Sequence, residues 1–155
     1  VKLSSRLDII SKERIRDEFN KMITSSFPCR AIQLLLEVGA MKFIIPEILE
    51  TIGLEQNKYH FGDVFEHTMC LLEKCENKDL VVRLSCLLHD IGKIKCKTIG
   101  NDGGIHFYDH EFVGSNMIYD ILTNLKYSNN IIDEVSLISE LKEIRLSLIL
   151  YLIKY

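Results

Sequence analysis

Three histidines and an aspartate have the residue types and the spacing of a metal site. His89 and Asp90 are neighbours at the end of an apolar run, and His67 and His110 lie about one helix plus one loop before and after them. Imidazole is a good ligand for transition metals, and a carboxylate can bind or bridge divalent cations. One such histidine alone is more often an ordinary core or surface residue, but the four side chains together favour a metal site.

A glycine and a lysine follow this dipeptide closely. Gly92 fits the position just past a helix C-terminus, where a left-handed backbone is common. We expect Lys93 to be free to meet an anion such as a phosphate group. Lys95 and Lys97 are more simply explained as part of a solvated basic loop, which we predict over residues 92–106.

Hydrophobic periodicity predicts the helices that position these side chains. Apolar residues recur at three- and four-residue steps along most of the chain, and no long stretch alternates at every second residue. One predicted helix spans residues 62–75 and turns His67 inward. A second carries the apolar residues from Leu80 to Ile91, and a third begins near His110. The predicted fold class is therefore all-α, without internal repeats.

Composition and net charge limit the partners and the cellular location that we expect for the chain. The 155 residues carry a net charge of −3, so no global field favours nucleic acid, and RNA binding would need a local basic patch. Five cysteines without a Cys-x-x-Cys pair argue for reduced thiols and a cytoplasmic location. No signal peptide and no membrane span are predicted, because the apolar stretch at 144–153 is short and interrupted.

Other catalytic motifs do not occur in the sequence. It contains no P-loop, no dinucleotide-binding fingerprint and no Gly-x-Ser-x-Gly elbow. Gly114 and Ser115 followed by Asp120 weakly match a nucleotidyltransferase signature, but Leu122 stands where its second carboxylate is required. The sequence therefore favours metal chemistry on a phosphate over these alternatives.

Several short segments are distinctive as a set, although each is loose by itself. They are Ile10–Glu18, Glu37–Gly39, Pro46-Glu47, Tyr59-His60, His67-Thr68 and His110–Gly114. The His67, His89-Asp90 and His110 pattern resembles the HD-domain superfamily of metal-dependent phosphohydrolases. With the flanking segments, the chain looks like the C-terminal half of bacterial tRNA nucleotidyltransferases, the CCA-adding enzymes of the poly(A) polymerase family.

This resemblance implies two regions. Residues 1–57 correspond to a short helical region that helps to hold nucleotide and tRNA, and residues 58–155 correspond to an HD-domain helical bundle. The end of the chain departs from the family pattern. Leu141 stands where a further His is expected, and residues 141–155 contain no Asp to supply a distal ligand. We therefore expect an HD domain that is truncated or altered after about residue 138, with a metal site open on one side.

The same resemblance implies roles for individual side chains. His67, His89 and Asp90 are expected to hold a divalent metal ion, for which Mg, Mn, Ni, Fe and Zn are all candidates, and His110 is expected to bind a second one. Asp90, Lys93 and His110 are the expected catalytic residues, and the role of Lys93 in stabilising charge on a phosphate is inferred from its position after the His-Asp pair rather than from the resemblance. The family head domain that adds nucleotides has no counterpart in the sequence, so nucleotidyl transfer by this chain alone is not expected.

Two functions stay open at this point. The first is a metal-dependent phosphohydrolase that acts on nucleotides or cyclic phosphates in connection with tRNA 3′-end processing. The second is a non-catalytic tRNA-binding piece, or a degenerate fragment, in which Lys12, Arg14 and Arg16 contact phosphates. Acidic residues alternate with these three basic residues, which favours an ordinary solvated helix face there.

Overall fold

The described part of the chain is helical, with one small β-hairpin. The computed structural model describes residues 10–56, 62–101 and 103–140. The predicted all-α class is confirmed for this part of the chain. The elements in chain order are α1 (Lys12–Ile23), α2 (Pro28–Glu37), α3 (Met41–Ile44), α4 (Glu47–Thr51), α5 (Val64–Lys74), α6 (Leu80–Leu88), α7 (Lys93–Cys96), β1 (Lys97–Ile99), β2 (Ile105–Phe107), α8 (His110–Asn124) and α9 (Asn129–Glu140).

Helix α6 is the central element of the bundle. Every residue of this helix from Val82 to Leu88 is buried, and it packs against α1, α5 and α9. Asp79 begins the helix by accepting hydrogen bonds from the backbone amides of Val81 and Val82. Because α6 is apolar around nearly its whole circumference, it must be enclosed on all sides. His89 and Asp90, which follow its C-terminal end, therefore lie in the protein interior.

Helix α5 begins at a complete capping box. The Asp63 carboxylate accepts from the amide of Glu66 at 2.7 Å, and the Glu66 carboxylate accepts from the amide of Asp63 at 3.1 Å. The second oxygen of Asp63 accepts from the amide of Gly53 at 2.7 Å, which ties the preceding turn to the helix start. This cap fixes the first turn of α5 and hence the position of His67.

The segment predicted as a loop over residues 92–106 contains regular structure instead. Helix α7 is followed by β1, which pairs antiparallel with β2 in the register Thr98 opposite His106. The turn between the strands includes Gly103, whose φ of +75° is a conformation that glycine adopts without strain. Periodicity could not reveal strands of three residues, because alternation needs a longer run to be recognised.

Gly92 has a different role from the helix-ending one predicted for it. Its backbone is right-handed, with φ −64° and ψ −20°, so no left-handed cap is needed. A Cβ at Gly92 would instead lie 2.1 Å from the carbonyl oxygen of His110 and 2.5 Å from the amide nitrogen of Gly114. Glycine is required here because the backbones of α7 and α8 touch, and this contact brings His110 towards Asp90.

Two predictions concern residues that the structure does not describe. The boundary between residues 57 and 58, and the departures from the family pattern over residues 141–155, lie outside the described ranges. The five cysteines are not joined by disulfides in the structure. Burial is the largest effect raising the pKa of the Cys29 thiol, to about 12, so this thiol is a poor nucleophile. No helix in the described part of the chain is long and apolar enough to cross a membrane.

We predict that Gly92→Ala destabilises the fold by about 1–3 kcal/mol, because the added methyl group meets backbone atoms that cannot rotate away. Gly114→Ala is the matched control, since its Cβ would lie no closer than 3.3 Å to the Gly92 nitrogen. Urea unfolding followed by circular dichroism measures both effects. An equal loss for the two variants would contradict the assigned contact.

Candidate metal centre

The structure brings the four predicted ligands together around one carboxylate. Asp90 Oδ2 lies 3.2 Å from His89 Nε2 and 3.7 Å from His67 Nε2. Asp90 Oδ1 lies 3.7 Å from His110 Nε2. His67 comes from α5, His89 and Asp90 follow α6 directly, and His110 is the first residue of α8. Three separate elements therefore supply a single cluster.

His89 is oriented by the helix that precedes it. Its Nδ1 lies 2.9 Å from the carbonyl oxygen of Cys86, which can only accept, so Nδ1 carries the proton. In the neutral imidazole the lone pair then resides on Nε2, which faces Asp90. A backbone carbonyl that fixes the tautomer in this way is typical of histidines that bind metals through the other nitrogen.

His110 has the same arrangement. Its Nδ1 lies 2.7 Å from the carbonyl oxygen of Phe107 and 3.2 Å from Glu111 Oε2, both of which are acceptors. The Nε2 atom of His110 therefore points its lone pair towards the Asp90 carboxylate when the ring is neutral. The ring of Phe107 also contacts His110 edge-on, with the centroids 6.4 Å apart. Strand β2 thus orients this histidine from two sides.

Lys93 is held in an ion pair rather than being free to meet an anion. Its Nζ donates to Asp90 Oδ2 at 2.7 Å and to Gln56 Oε1 at 2.6 Å, and its side chain is only 5% exposed. The ammonium group also lies 5.4 Å from the centroid of the Phe107 ring. The expectation of a free Lys93 is wrong for a physical reason: Lys93 lies in α7, three residues after Asp90, so its ammonium meets that carboxylate first.

The donor set fits a divalent metal ion. One ligand atom each from His67, His89 and Asp90 lies within 4.8 Å of the other two. Two imidazole nitrogens and a carboxylate oxygen are suitable ligands for Zn, Fe, Ni or Mn. When His89 is neutral, its Nε2 lone pair and the Asp90 oxygen face each other at 3.2 Å, and a cation between them removes that repulsion. His110 Nε2 lies 3.7 Å from the other carboxylate oxygen, Asp90 Oδ1.

Access to this cluster is from the side of His67. The side chains of His89, Asp90 and His110 are between 2% and 12% exposed, whereas that of His67 is 32% exposed. His67 is therefore the member of the cluster that solvent reaches most readily, while Asp90 is shielded from bulk water. Low solvent exposure strengthens the electrostatic interactions around the carboxylate.

Three residues that contact the cluster, Gln56, Phe107 and Glu111, were not predicted as site residues from the sequence. Gln56 lies in a distant part of the chain and accepts a hydrogen bond from Lys93. The ring of Phe107 lies near the Lys93 ammonium, and the carbonyl oxygen of Phe107 contacts His110. Glu111 is 8% exposed and lies beside His110. The only available signal was for Glu111, since a carboxylate directly after a candidate ligand can orient its ring.

We predict that Lys93→Met destabilises the metal-free protein by about 3–5 kcal/mol, because it leaves the buried Asp90 carboxylate without its ammonium partner. Lys95→Met is the control, since Lys95 is exposed and should change stability by less than about 0.5 kcal/mol. Chemical denaturation in a chelating buffer measures the difference. Similar stabilities for the two variants would rule out a strong buried pair.

Comparison with known proteins gives this cluster a family context. The sequence profile of the HD domain matches residues 57–152. A second profile, described as "Probable RNA and SrmB- binding site of polymerase A", matches residues 1–51.

Three similar proteins are considerably longer than the segments that match this chain. The A-adding tRNA nucleotidyltransferase of Deinococcus radiodurans is 36% identical over 128 residues, which are 79% of this chain and 30% of that protein. The CC-adding tRNA nucleotidyltransferase of Thermus thermophilus is 27% identical over 131 residues, 81% of this chain and 30% of that protein. The multifunctional CCA protein of Pseudomonas fluorescens strain Pf0-1 is 33% identical over 94 residues, 58% of this chain and 23% of that protein.

The chain spans less than a third of the length of these relatives. The matched regions agree with the resemblance seen in the sequence. The chain belongs to the HD-domain family and corresponds to the C-terminal, RNA-binding-plus-HD part of the tRNA nucleotidyltransferase family.

Proposed function

We propose that this chain is a metal-dependent phosphohydrolase of the HD type, acting on a nucleotide or a cyclic phosphate in connection with tRNA 3′-end processing. The observation that carries the proposal is the cluster itself: two imidazole nitrogens and a buried carboxylate oxygen within 4.8 Å of one another. A third imidazole, that of His110, lies 3.7 Å from the second carboxylate oxygen. A divalent ion held by these donors could polarise a phosphoryl oxygen and activate water, which supports the proposal.

His67, His89 and Asp90 would hold the divalent ion, and His110 would bind a second ion or orient the substrate. When bound, such an ion supplies Lewis acidity, which polarises a phosphoryl oxygen and makes a water molecule more acidic. The residues of the chain keep the ligands in place. The carbonyl oxygens of Cys86 and Phe107 fix the rings of His89 and His110, so little reorganisation is needed when substrate arrives.

Lys93 contributes a fixed positive charge next to this cluster. Its ammonium group is buried and lies between Asp90 and Gln56, so its position does not depend on substrate. Negative charge that develops on phosphoryl oxygens is stabilised by an ammonium placed in advance in a poorly solvated site. We therefore assign Lys93 to charge stabilisation rather than to the first capture of the phosphate from solution.

The partial exposure of His67 suits a small phosphate ester or the end of a polynucleotide chain. The 32% exposed imidazole marks the open side of the cluster, while the remaining ligands lie inside the fold. The relatives are named for nucleotide addition to tRNA, which makes a nucleotide or a tRNA 3′ end the first substrate class to test.

We predict that Asp90→Ala reduces metal-dependent release of phosphate or opening of a cyclic nucleotide to background, because it removes the carboxylate on which the cluster converges. The control is Asp120→Ala, which removes an exposed carboxylate from α8. Turnover is measured with Mn²⁺, Ni²⁺ or Mg²⁺ added to chelator-treated protein. Equal turnover by the Asp90 variant and the wild type would refute the hydrolase assignment.

A second candidate function is tRNA binding by the region that precedes the cluster. The match of residues 1–51 to an RNA-binding profile favours it. The structure changes which basic residues of α1 are suited to this role. Lys12 donates to the carbonyl oxygen of Phe43 at 3.1 Å, and Arg16 donates to Asp17 and to the carbonyl oxygen of Lys126. Arg14 is exposed and is the residue of the three best placed to contact a phosphate.

If this second function holds, Arg14→Ala should weaken tRNA binding and lower the salt dependence of binding by about one unit of slope. Arg30→Ala is the matched control, because Arg30 is an exposed arginine of α2 paired with Glu37 at 3.0 Å. Filter binding or fluorescence anisotropy at several salt concentrations measures the slopes. Identical slopes for the wild type and the Arg14 variant would exclude this contact.

A further inference from the structure

Gln56 connects the segment after α4 to the charged cluster. Its Oε1 accepts from Lys93 Nζ at 2.6 Å, and its Nε2 donates to the carbonyl oxygen of Asp63 at 3.2 Å. Both ends of the amide are therefore used, and each contact fixes the orientation of the other. The residue lies 37 positions before Lys93, so the contact joins distant parts of the chain.

The backbone around Gln56 is anchored firmly. The amide of Gly53 donates to Asp63 Oδ2 at 2.7 Å, and the amide of Val64 donates to the carbonyl oxygen of Leu54 at 3.1 Å. Glu55 forms an isolated antiparallel bridge with Asp63. These contacts tie residues 53–56 to the start of α5, which also carries His67. Gln56 is thus held in place by the same cap that positions a predicted metal ligand.

The acceptors of Lys93 are of two kinds. Asp90 Oδ2 is charged and is shared with His89 and His67, whereas Gln56 Oε1 is neutral and lies outside the group of predicted metal ligands. A divalent ion at the cluster would bind Asp90 Oδ2, the same oxygen that accepts a hydrogen bond from the buried ammonium of Lys93. Gln56 is the acceptor that stays with Lys93 when this carboxylate is shared with a cation, and a buried ammonium needs such an acceptor.

We propose that Gln56 is a positioning residue that sets the metal affinity of the cluster through Lys93. This inference rests on the metal centre of the proposed function. The Gln56 amide holds the ammonium and lowers the competition between Lys93 and the ion for Asp90. A neutral apolar side chain at position 56 would leave Lys93 dependent on Asp90 alone. A carboxylate there would neutralise the ammonium and favour the ion.

The test is the affinity for Mn²⁺ of the full chain, measured by isothermal titration calorimetry without substrate. Gln56→Leu should raise the Mn²⁺ Kd by about tenfold or more, the usual size of an effect on metal affinity from a group that supports the ligands. Gln56→Glu should lower the Kd below that of the wild type. Gln33→Leu and Gln33→Glu are the matched controls on the exposed face of α2 and should leave the Kd unchanged.

Opposite effects of the two Gln56 variants would support the inference, because damage to the fold would weaken binding in both. Kd values equal to that of the wild type in both variants, or a raised Kd in both variants, would overturn it. Wild-type protein that binds none of the candidate divalent ions in this titration would overturn both the inference and the proposed function. A third result is that the wild type binds Mn²⁺ and hydrolyses no phosphate ester, while the two Gln56 variants shift the Mn²⁺ Kd in opposite directions. That result would refute the hydrolase assignment and support the role of Gln56.

Discussion

A carboxylate with 2% side-chain exposure at the end of an apolar helix is costly unless cationic or polar groups surround it. Asp90 is in this position, and the surrounding structure supplies what it needs. Lys93 gives an ammonium group at 2.7 Å, and three imidazoles approach from α5, from the end of α6 and from the start of α8. The stability of the α6 terminus and the chemistry of the cluster therefore depend on the same charge.

The bundle is arranged so that these groups can reach Asp90. The capping box at Asp63 starts α5 where His67 can face the carboxylate, and the apolar circumference of α6 places Asp90 inside. The contact between Gly92 and the backbone of α8 brings His110 to the other side. Because any side chain at Gly92 would push these backbones apart, a residue without chemistry of its own determines the geometry of the candidate site.

The sequence was sufficient for the helices and for the main cluster but not for its supporting contacts. His67, His89, Asp90 and His110 were predicted as a set from their residue types, their spacing of about one helix plus one loop and their HD-like pattern, and the structure brings them together. The role of Gln56 could not be predicted, since it depends on contacts between distant segments that no local pattern encodes. The short hairpin was predicted as a loop because alternation cannot be recognised in strands of three residues. Lys93 was expected to be free although Asp90, three residues earlier, is close enough to pair with its ammonium group.

The central claim is that His67, His89 and Asp90 form a metal centre, and anomalous diffraction from crystals soaked in Mn²⁺ tests it most directly. The account predicts an anomalous peak about 2.0–2.3 Å from an imidazole nitrogen of His67, an imidazole nitrogen of His89 and an oxygen of Asp90. The carbonyl contacts of His89 and His110 should persist, because they orient the rings. Strong anomalous peaks elsewhere, with none at this cluster, would contradict the account.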